Sequence, residues 1–165
     1  MTILVVDDEP SFRFLTKDYL EGEGYKVLVA PDGPEGLATL SKDAVDIVVS
    51  DLHMPFMDGL QFCKSARALP GRADLPFLFV SAYNDDSTLV IMSTFKNSGF
   101  LSKGRPLAEL VDLAKFLTTA ASAGGGFNPA DAEPPQPDEK PLNGSKWHGR
   151  FRKAGRPLSN HLQDK

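Results

Sequence analysis

Acidic side chains end the first and third apolar runs of this chain, where they could share one site. Asp7 and Asp8 follow the first run, and Asp51 follows the third. In doubly wound sheets, functional groups gather at the carboxyl ends of the strands. Three carboxylates there would repel one another by on the order of 4 kcal/mol per pair at about 4 Å, so a positive charge must lie among them. Hard oxygen ligands without a His or Cys cluster favour Mg²⁺ over zinc.

Three more side chains are predicted at the same edge. Ser81 ends the fourth apolar run, and the fifth run passes through Phe100 to Lys103. Each has a purely structural reading, as a strand-end hydroxyl, a core aromatic and a solvated surface lysine. The acids before Pro10 could likewise be simple helix N-terminal residues. The combination of these acids and of the three strand-end side chains with Asp51 favours a functional site.

Five βα units would position these residues. Short apolar runs bounded by turn residues alternate with segments of helical period, which is typical of a parallel sheet. The runs lack strict alternation, as expected for strands covered by helices on both faces. The predicted strands are Thr2–Val6, Tyr25–Ala30, Asp46–Ser50, Pro76–Val80 and Gly99–Ser102. The predicted helices begin near Pro10, Pro34, Gly59, Asp85 and Pro106.

The first and last predicted helices each have an apolar face. On the first, Phe12, Leu15 and Tyr19 share one side. On the last, the shared residues are Leu107, Leu110, Val111 and Ala114. We expect both faces to pack against the sheet, and we expect Cys63 of the third helix to be a buried, inert thiol.

Composition favours one ordinary domain. The 165 residues are 41% hydrophobic and 24% charged, with a net charge of −4. Residues 1–120 carry 11 Lys and Arg against 17 Asp and Glu, whereas residues 121–165 carry 7 against 5. The apolar run at 3–6 is too short for a signal peptide or a membrane span, and one cysteine cannot form an internal disulfide. We therefore expect a cytoplasmic protein that does not bind membranes.

The amino-acid composition changes near residue 121, so we predict a domain at 1–121 and a disordered tail at 122–165. Residues 120–126 are rich in small residues and glycine, and residues 128–141 include five prolines, which is typical of a linker. The remaining residues are too few for a core without a metal or disulfides. Basic residues interleaved with aromatics at 145–157 fit a weak nucleic-acid contact, a solvated terminal tail, or a short linear motif that docks on the acidic domain or on a protein partner.

Several segments together resemble the receiver domain of two-component response regulators. They are Val-Asp-Asp-Glu-Pro (6–10), Asp-Ile-Val-Val-Ser-Asp-Leu-His-Met-Pro-Phe-Met-Asp-Gly (46–59), Phe-Val-Ser-Ala (79–82), and the pair Phe100 and Lys103. The intervals from Asp51 to Ser81 and from Ser81 to Lys103 also have the length that this family uses. The resemblance implies a flavodoxin-like α/β fold, with a doubly wound five-stranded parallel sheet of order 2-1-3-4-5 and five helices.

The resemblance also implies a role for each acidic residue. Asp51 would be the nucleophile that accepts a phosphoryl group from a phosphohistidine and becomes an acyl phosphate. Asp8 and Asp51 would bind Mg²⁺ directly, Asp7 would bind it through water, and His53 would bind it through its backbone carbonyl. The domain would then be a phosphoprotein that catalyses only its own phosphorylation and dephosphorylation.

The remaining implied roles concern the phosphoryl oxygens and the output surface. Lys103 and the Ser81 hydroxyl would contact the phosphoryl oxygens, and Phe100 would rotate into the space that the Ser81 loop leaves. The family commonly uses its fourth helix, fifth strand and fifth helix for output. Because the predicted helix near Asp85 has more apolar residues than one stripe can bury, we predict that Leu89 and Val90 are exposed and contact a partner or a second copy.

The chain departs from the family pattern beside the site. The lysine is usually followed by proline, but here the proline comes two residues later, at Pro106. Phe56 stands where the family usually keeps glycine, which puts a bulky side chain beside the phosphorylation loop. His53 and Tyr83 would flank the phosphoryl group and affect the access of water to it.

Three functions are compatible with these patterns. The resemblance favours a stand-alone regulator that is phosphorylated by a sensor histidine kinase or phosphotransfer protein and acts on an effector protein through protein contacts. The alternative is a DNA-associated regulator that uses the basic tail 145–157. The third is a phosphohydrolase with an aspartyl-phosphate intermediate, but such enzymes usually have a second acid two residues after the nucleophile, where this chain has His53.

Overall fold

A five-stranded parallel sheet organises this domain. The computed structural model describes residues 1–82 and 95–122. The strands are β1 Thr2–Val6, β2 Lys26–Ala30, β3 Ile47–Asp51, β4 Phe77–Ser81 and β5 Ser98–Ser102. They pair in the order β2-β1-β3-β4-β5, which confirms the order expected from the resemblance.

The predicted strand bounds are correct to within one residue, and the differences concern the site. Asp51 and Ser81 are the last residues of β3 and β4, where the predictions ended these strands one residue earlier. The reason is that the ladder continues to these positions, because Asp51 pairs with Val80 and Ser81 pairs with Ser102. Their backbones are therefore fixed by the sheet itself.

Four helices are described, and capping residues explain where two of them begin. They are α1 Pro10–Gly22, α2 Gly33–Lys42, α3 Gly59–Arg67 and α4 Leu107–Ser122. The carboxylates of Asp32 and Asp58 accept hydrogen bonds from the N–H groups of Glu35 and Gln61, each at 2.8 Å, which is the usual way to satisfy a helix N-terminus. The helix predicted near Asp85 and the tail predicted to be disordered lie outside the described residues.

Two core layers cover the two faces of the sheet. Alternate residues of β1 enter opposite layers: Leu4 and Val6 face α2 and α3, whereas Ile3 and Val5 face α1 and α4. The buried residues of α4 are Leu110, Val111, Ala114 and Leu117, which confirms its predicted face. Strands β1, β3 and β4 are therefore buried on both faces, as their continuous apolar runs predict.

The prediction for α1 is partly wrong. Phe12 and Tyr19 pack against the core, but Leu15 is exposed, and the helix buries Thr16 and Leu20 instead. The helix is rotated about its axis from the predicted orientation, so Thr16 and Leu20 face the sheet and the side chain of Leu15 points to solvent. Cys63 is buried as predicted, and burial raises the pKa of its thiol to about 11, which keeps the thiol protonated at neutral pH.

The first residue of α3 lies directly against the end of β3. The Gly59 N–H donates to the Leu52 carbonyl at 2.9 Å. A Cβ atom on Gly59 would lie 2.2 Å from the Asp51 carbonyl oxygen, so only glycine fits here. This contact closes the loop of residues 52–58 at its base. Within the described ranges, no helix has both the length and the apolar character needed to cross a bilayer.

Replacing Gly59 with alanine is expected to lower the free energy of unfolding by about 3 kcal/mol, since the new methyl group overlaps backbone atoms that cannot move aside. The matched control is Gly22→Ala at the end of α1, where nothing lies within 4 Å of the added Cβ. That change should raise stability by up to about 1 kcal/mol. Urea unfolding measures both, and equal stability of Gly59→Ala and the native chain would contradict the close approach.

Candidate functional site at the carboxyl edge of the sheet

Three carboxylates meet at one edge of the sheet, as the sequence predicts. Asp7 and Asp8 follow β1, and Asp51 ends the neighbouring strand β3. One carboxylate oxygen from each lies within 4.8 Å of the other two. Asp7 and Asp51 are buried, whereas Asp8 is exposed. The cluster therefore concentrates negative charge beneath an opening to solvent at Asp8.

Lys103 supplies a cation to this cluster. Its Nζ lies 2.6 Å from Asp51 Oδ2 and 2.8 Å from Asp7 Oδ2, with Glu9 Oε2 at 3.8 Å. The backbone N–H of Lys103 donates to the carbonyl of Ser81 at 2.9 Å, which holds the loop after β5 against β4. The side chain thus reaches across β4 to the ends of β3 and β1. The delayed proline does not remove the lysine from the predicted position.

Burial and the ion pairs shift the ionisation of Asp7 and Lys103. Burial raises the pKa of Asp7 above its ordinary value of 3.8, although Lys103 and the Glu9 N–H oppose this. Burial acts to lower the pKa of Lys103, but its hydrogen bonds to Asp51 and Asp7 outweigh burial and raise the pKa above 10.5. The ammonium therefore stays charged at neutral pH, while the negative charge of Asp7 is costly in this site.

Backbone groups orient two of the carboxylates. The Glu9 N–H donates to Asp7 Oδ1 at 2.9 Å, and the His53 N–H donates to Asp51 Oδ1 at 3.1 Å. In both carboxylates, Oδ1 is held by the backbone and Oδ2 faces Lys103. The two side chains are therefore fixed in related orientations around the same ammonium.

The donor set fits a small, hard cation. Asp7 Oδ2 is buried, and apart from the ion pair with Lys103 it has no hydrogen-bond partner among the residues that the structure describes. Such an oxygen could exchange its contact with Lys103 for one with a metal ion, and the three carboxylates offer oxygen ligands alone. The cluster could therefore hold a metal ion. Metal binding by the His53 carbonyl stays a prediction.

Ser81 and Phe100 lie on the two strands beyond β3. Ser81 is buried at the end of β4, one strand away from Asp51. Phe100 pairs with Phe79 and packs, half-buried, against the core layer of α2 and α3. Their movement as a switch stays a prediction. The predicted partner residues Leu89 and Val90, together with Tyr83 and the basic segment 145–157, lie outside the described ranges.

Two side chains of α1 were not predicted to contact the site. The ring of Phe12 lies beside Lys103, with its centroid 4.7 Å from Nζ. Arg13 Nη1 donates to the Asp7 carbonyl at 2.6 Å, which ties the first turn of α1 to the end of β1. The helix begins two residues after Asp8, so its first turn has to lie beside the cluster. Position in that first turn is the sequence signal that could have identified both residues.

Phe56 has an unusual conformation in the loop between β3 and α3. Its φ is 69°, a left-handed value that glycine adopts without steric cost. Its side chain is 93% exposed, so no burial within the described residues offsets the cost. The backbone thus has the conformation expected of glycine, while the side chain is a large apolar group.

Comparison with known proteins gives consistent matches over most of the chain. A family model described as the response regulator receiver domain matches residues 3–115. The chemotaxis protein CheY4 of Vibrio cholerae has 28% identity and a TM-score of 0.66, and the match covers 70% of this chain and 97% of that one. The receiver domain of the hybrid histidine kinase CckA has 31% identity and a TM-score of 0.59, over 72% and 99% of the two chains.

Matches by sequence include one protein of similar length and longer proteins of which this chain matches only a part. An uncharacterized 14.6 kDa protein of Leptolyngbya boryana is 38% identical over 117 residues, which cover 70% of this chain and 88% of that protein. The response regulator GtcR of Aneurinibacillus migulanus is 35% identical over 62% of this chain, but only 41% of GtcR is covered. The sensor histidine kinase RcsC of Salmonella typhimurium is 49% identical over 42% of this chain and 7% of the kinase. This chain therefore spans only part of its longer relatives.

Replacing Phe56 with glycine is expected to raise the free energy of unfolding by about 0.5–1 kcal/mol, because relief of the left-handed conformation exceeds the added freedom of the unfolded chain. The control is Phe14→Gly, at a phenylalanine that is 72% exposed within α1. There, glycine should lower stability by about 0.5 kcal/mol, because its helix propensity is poorer than that of phenylalanine. We expect denaturant unfolding to show changes of opposite sign in the free energy of unfolding of the two variants. A less stable Phe56→Gly variant would contradict the interpretation that the backbone at Phe56 is strained.

Asp7→Asn is expected to stabilise the metal-free protein at pH 7. Since the pKa of Asp7 is raised on folding, the protonated form contributes stability that is complete below pH 3.8 and is lost as the pH rises through the folded pKa. Asparagine cannot ionise, so its advantage should shrink as the pH falls toward 3.8. The measurement is the difference in the free energy of unfolding between Asp7→Asn and the native protein, in the presence of EDTA, from pH 7 down to pH 3.8. A less stable Asp7→Asn variant at pH 7 would contradict the expected stabilisation.

Proposed function

Because this chain belongs to the family of response regulator receiver domains, we propose that it accepts a phosphoryl group on Asp51 in a two-component signalling pathway. The observation that carries this proposal is the ion pair of Lys103 with Asp51, at 2.6 Å, inside a cluster of three carboxylates. The donor would be the phosphohistidine of a sensor histidine kinase or a phosphotransfer protein. We assign the reaction to the cytoplasm, in keeping with a buried free cysteine.

In the proposed reaction, a carboxylate oxygen of Asp51 forms a bond to phosphorus as the P–N bond of the phosphohistidine breaks. The electron pair of that bond returns to the imidazole, and the product is an acyl phosphate on Asp51. Phosphoryl transfer needs mainly positioning and stabilisation of negative charge. The His53 N–H orients Asp51 through Oδ1, and Lys103 offers its ammonium to the transferred oxygens. The hydroxyl of Ser81 would donate to another of these oxygens.

Asp7, Asp8 and Asp51 would hold Mg²⁺, with the His53 carbonyl as a further ligand. The ion would supply the positive charge that the cluster and the incoming phosphoryl group require. Support comes from the oxygen-only donor set and from the buried Asp7 Oδ2 that has Lys103 as its partner. The raised pKa of Asp7 is in keeping with a carboxylate whose charge needs a cation.

The proposed output is a change in protein–protein contacts. Ser81 ends β4, and the half-buried Phe100 lies on the edge strand β5, so a movement of one could be followed by the other. In this proposal Leu89, Val90, β5 and α4 contribute the contacts with an effector or a second copy. The protein acts in this proposal as a regulator whose only reactions are the gain and loss of its own phosphoryl group.

Phosphorylation by acetyl phosphate with Mg²⁺, followed by intact mass measurement, tests the assignment. We expect the native protein to gain the mass of one phosphoryl group and Asp51→Asn to gain none. Asp58→Asn is the matched control, because it changes a nearby aspartate whose role in capping α3 asparagine can also fill. It should react like the native protein, and EDTA should stop the reaction. An equal adduct on Asp51→Asn would refute Asp51 as the acceptor.

A further inference from the structure

The ammonium of Lys103 contacts an aromatic ring that the roles proposed so far do not use. Nζ lies 4.7 Å from the centroid of the Phe12 ring, within the range of a cation–π interaction. Phe12 is in the first turn of α1 and packs, half-buried, against the core layer of α1 and α4. The ring is therefore held by the fold.

Among the described residues, both the Phe12 ring and three carboxylates lie close to the ammonium. Asp51 Oδ2 and Asp7 Oδ2 lie at hydrogen-bond distance, Glu9 lies at the exposed rim at 3.8 Å, and the Phe12 ring lies within cation–π distance. The Lys103 side chain is only 12% exposed, so water competes little for the ammonium. Under such conditions a cation–π contact is stronger than on an open surface.

The carboxylate contacts of Lys103 are the ones that a metal ion would weaken. A divalent cation bound by Asp7 and Asp51 would compete for the two oxygens that the ammonium contacts, and it would repel the ammonium. Lysine has a long and flexible side chain, so it could then turn toward solvent. The Phe12 ring cannot bind the metal and does not titrate, so its attraction for the ammonium persists when the carboxylates are engaged.

We propose that Phe12 is a positioning residue, which keeps the Lys103 ammonium at the site when metal and phosphoryl oxygens occupy the carboxylates. This inference rests on the phosphoryl transfer proposed above. Phe12 acts only through Lys103 and need not touch the substrate. A ring that served the core alone would be replaced by leucine without any effect on Lys103.

Three variants separate the two roles. Phe12→Leu removes the ring but keeps an apolar side chain, Phe12→Tyr keeps the ring, and Tyr19→Leu removes another half-buried aromatic of α1 that packs against the same layer. With acetyl phosphate and saturating Mg²⁺, we expect the rate of adduct formation on Asp51 to fall about fivefold in Phe12→Leu only. Phe12→Tyr and Tyr19→Leu should stay within about twofold of the native rate.

Nuclear magnetic resonance reports whether the ring keeps its contact with the ammonium when Mg²⁺ is bound, which a role in the core alone would not require. The ε-CH₂ protons of Lys103 should be shifted upfield by the ring in the native protein and in Phe12→Tyr, both with and without Mg²⁺, and the shift should vanish in Phe12→Leu. Loss of the upfield shift when Mg²⁺ is added to the native protein would overturn the inference, since the ring would then not retain the ammonium.

A double-mutant cycle keeps the test valid if Phe12→Leu is less stable. In the Lys103→Met background, Phe12→Leu should no longer change the rate, because the group that it positions is gone. An equal fold-change in both backgrounds would show a role in the core alone and would overturn the inference. If the native protein gains no phosphoryl group, or Asp51→Asn gains one, the proposed function fails instead, so the two failures are distinguishable.

Discussion

One ammonium group among three carboxylates is the constraint on which the rest of the site depends. Asp7 and Asp51 each present one oxygen to Lys103 and one to a backbone N–H, while Asp8 faces solvent. The cluster retains an excess of negative charge, part of it buried. Such an arrangement is stable only if the protein holds its groups rigidly, and it attracts further positive charge.

The sheet provides that rigidity. Because β1, β3 and β4 are covered on both faces, their ends cannot shift without disturbing two core layers. Asp51 is itself a residue of the ladder, and Lys103 is tied to β4 through the Ser81 carbonyl. Strand pairing therefore fixes Asp51 directly, whereas Lys103 lies in the loop after β5 and is held in place by its hydrogen bond to β4.

The order of the strands and the carboxylate cluster could be predicted because both follow from patterns along the chain. Apolar runs and the residues that end them are local features, and the parallel arrangement brings the ends together. The exposure of Leu15 and the contact of Phe12 with Lys103 could not be predicted in this way, because they depend on how α1 is rotated against the sheet. The resemblance did indicate a glycine-type position at residue 56, where the structure has a phenylalanine in a left-handed conformation.

The loop of residues 52–58 is closed at its base, where Gly59 bonds to Leu52 and leaves no space beside the Asp51 backbone. Phe56, away from that base, presents its ring to solvent. The base and the tip of this loop therefore differ in their steric constraints: a side chain at Gly59 would overlap the Asp51 backbone, whereas the exposed side chain at position 56 can change without filling space beside the carboxylate. Substitution at position 56 could therefore alter the surface that a partner meets beside the carboxylate cluster while the backbone that carries Asp51 stays unchanged.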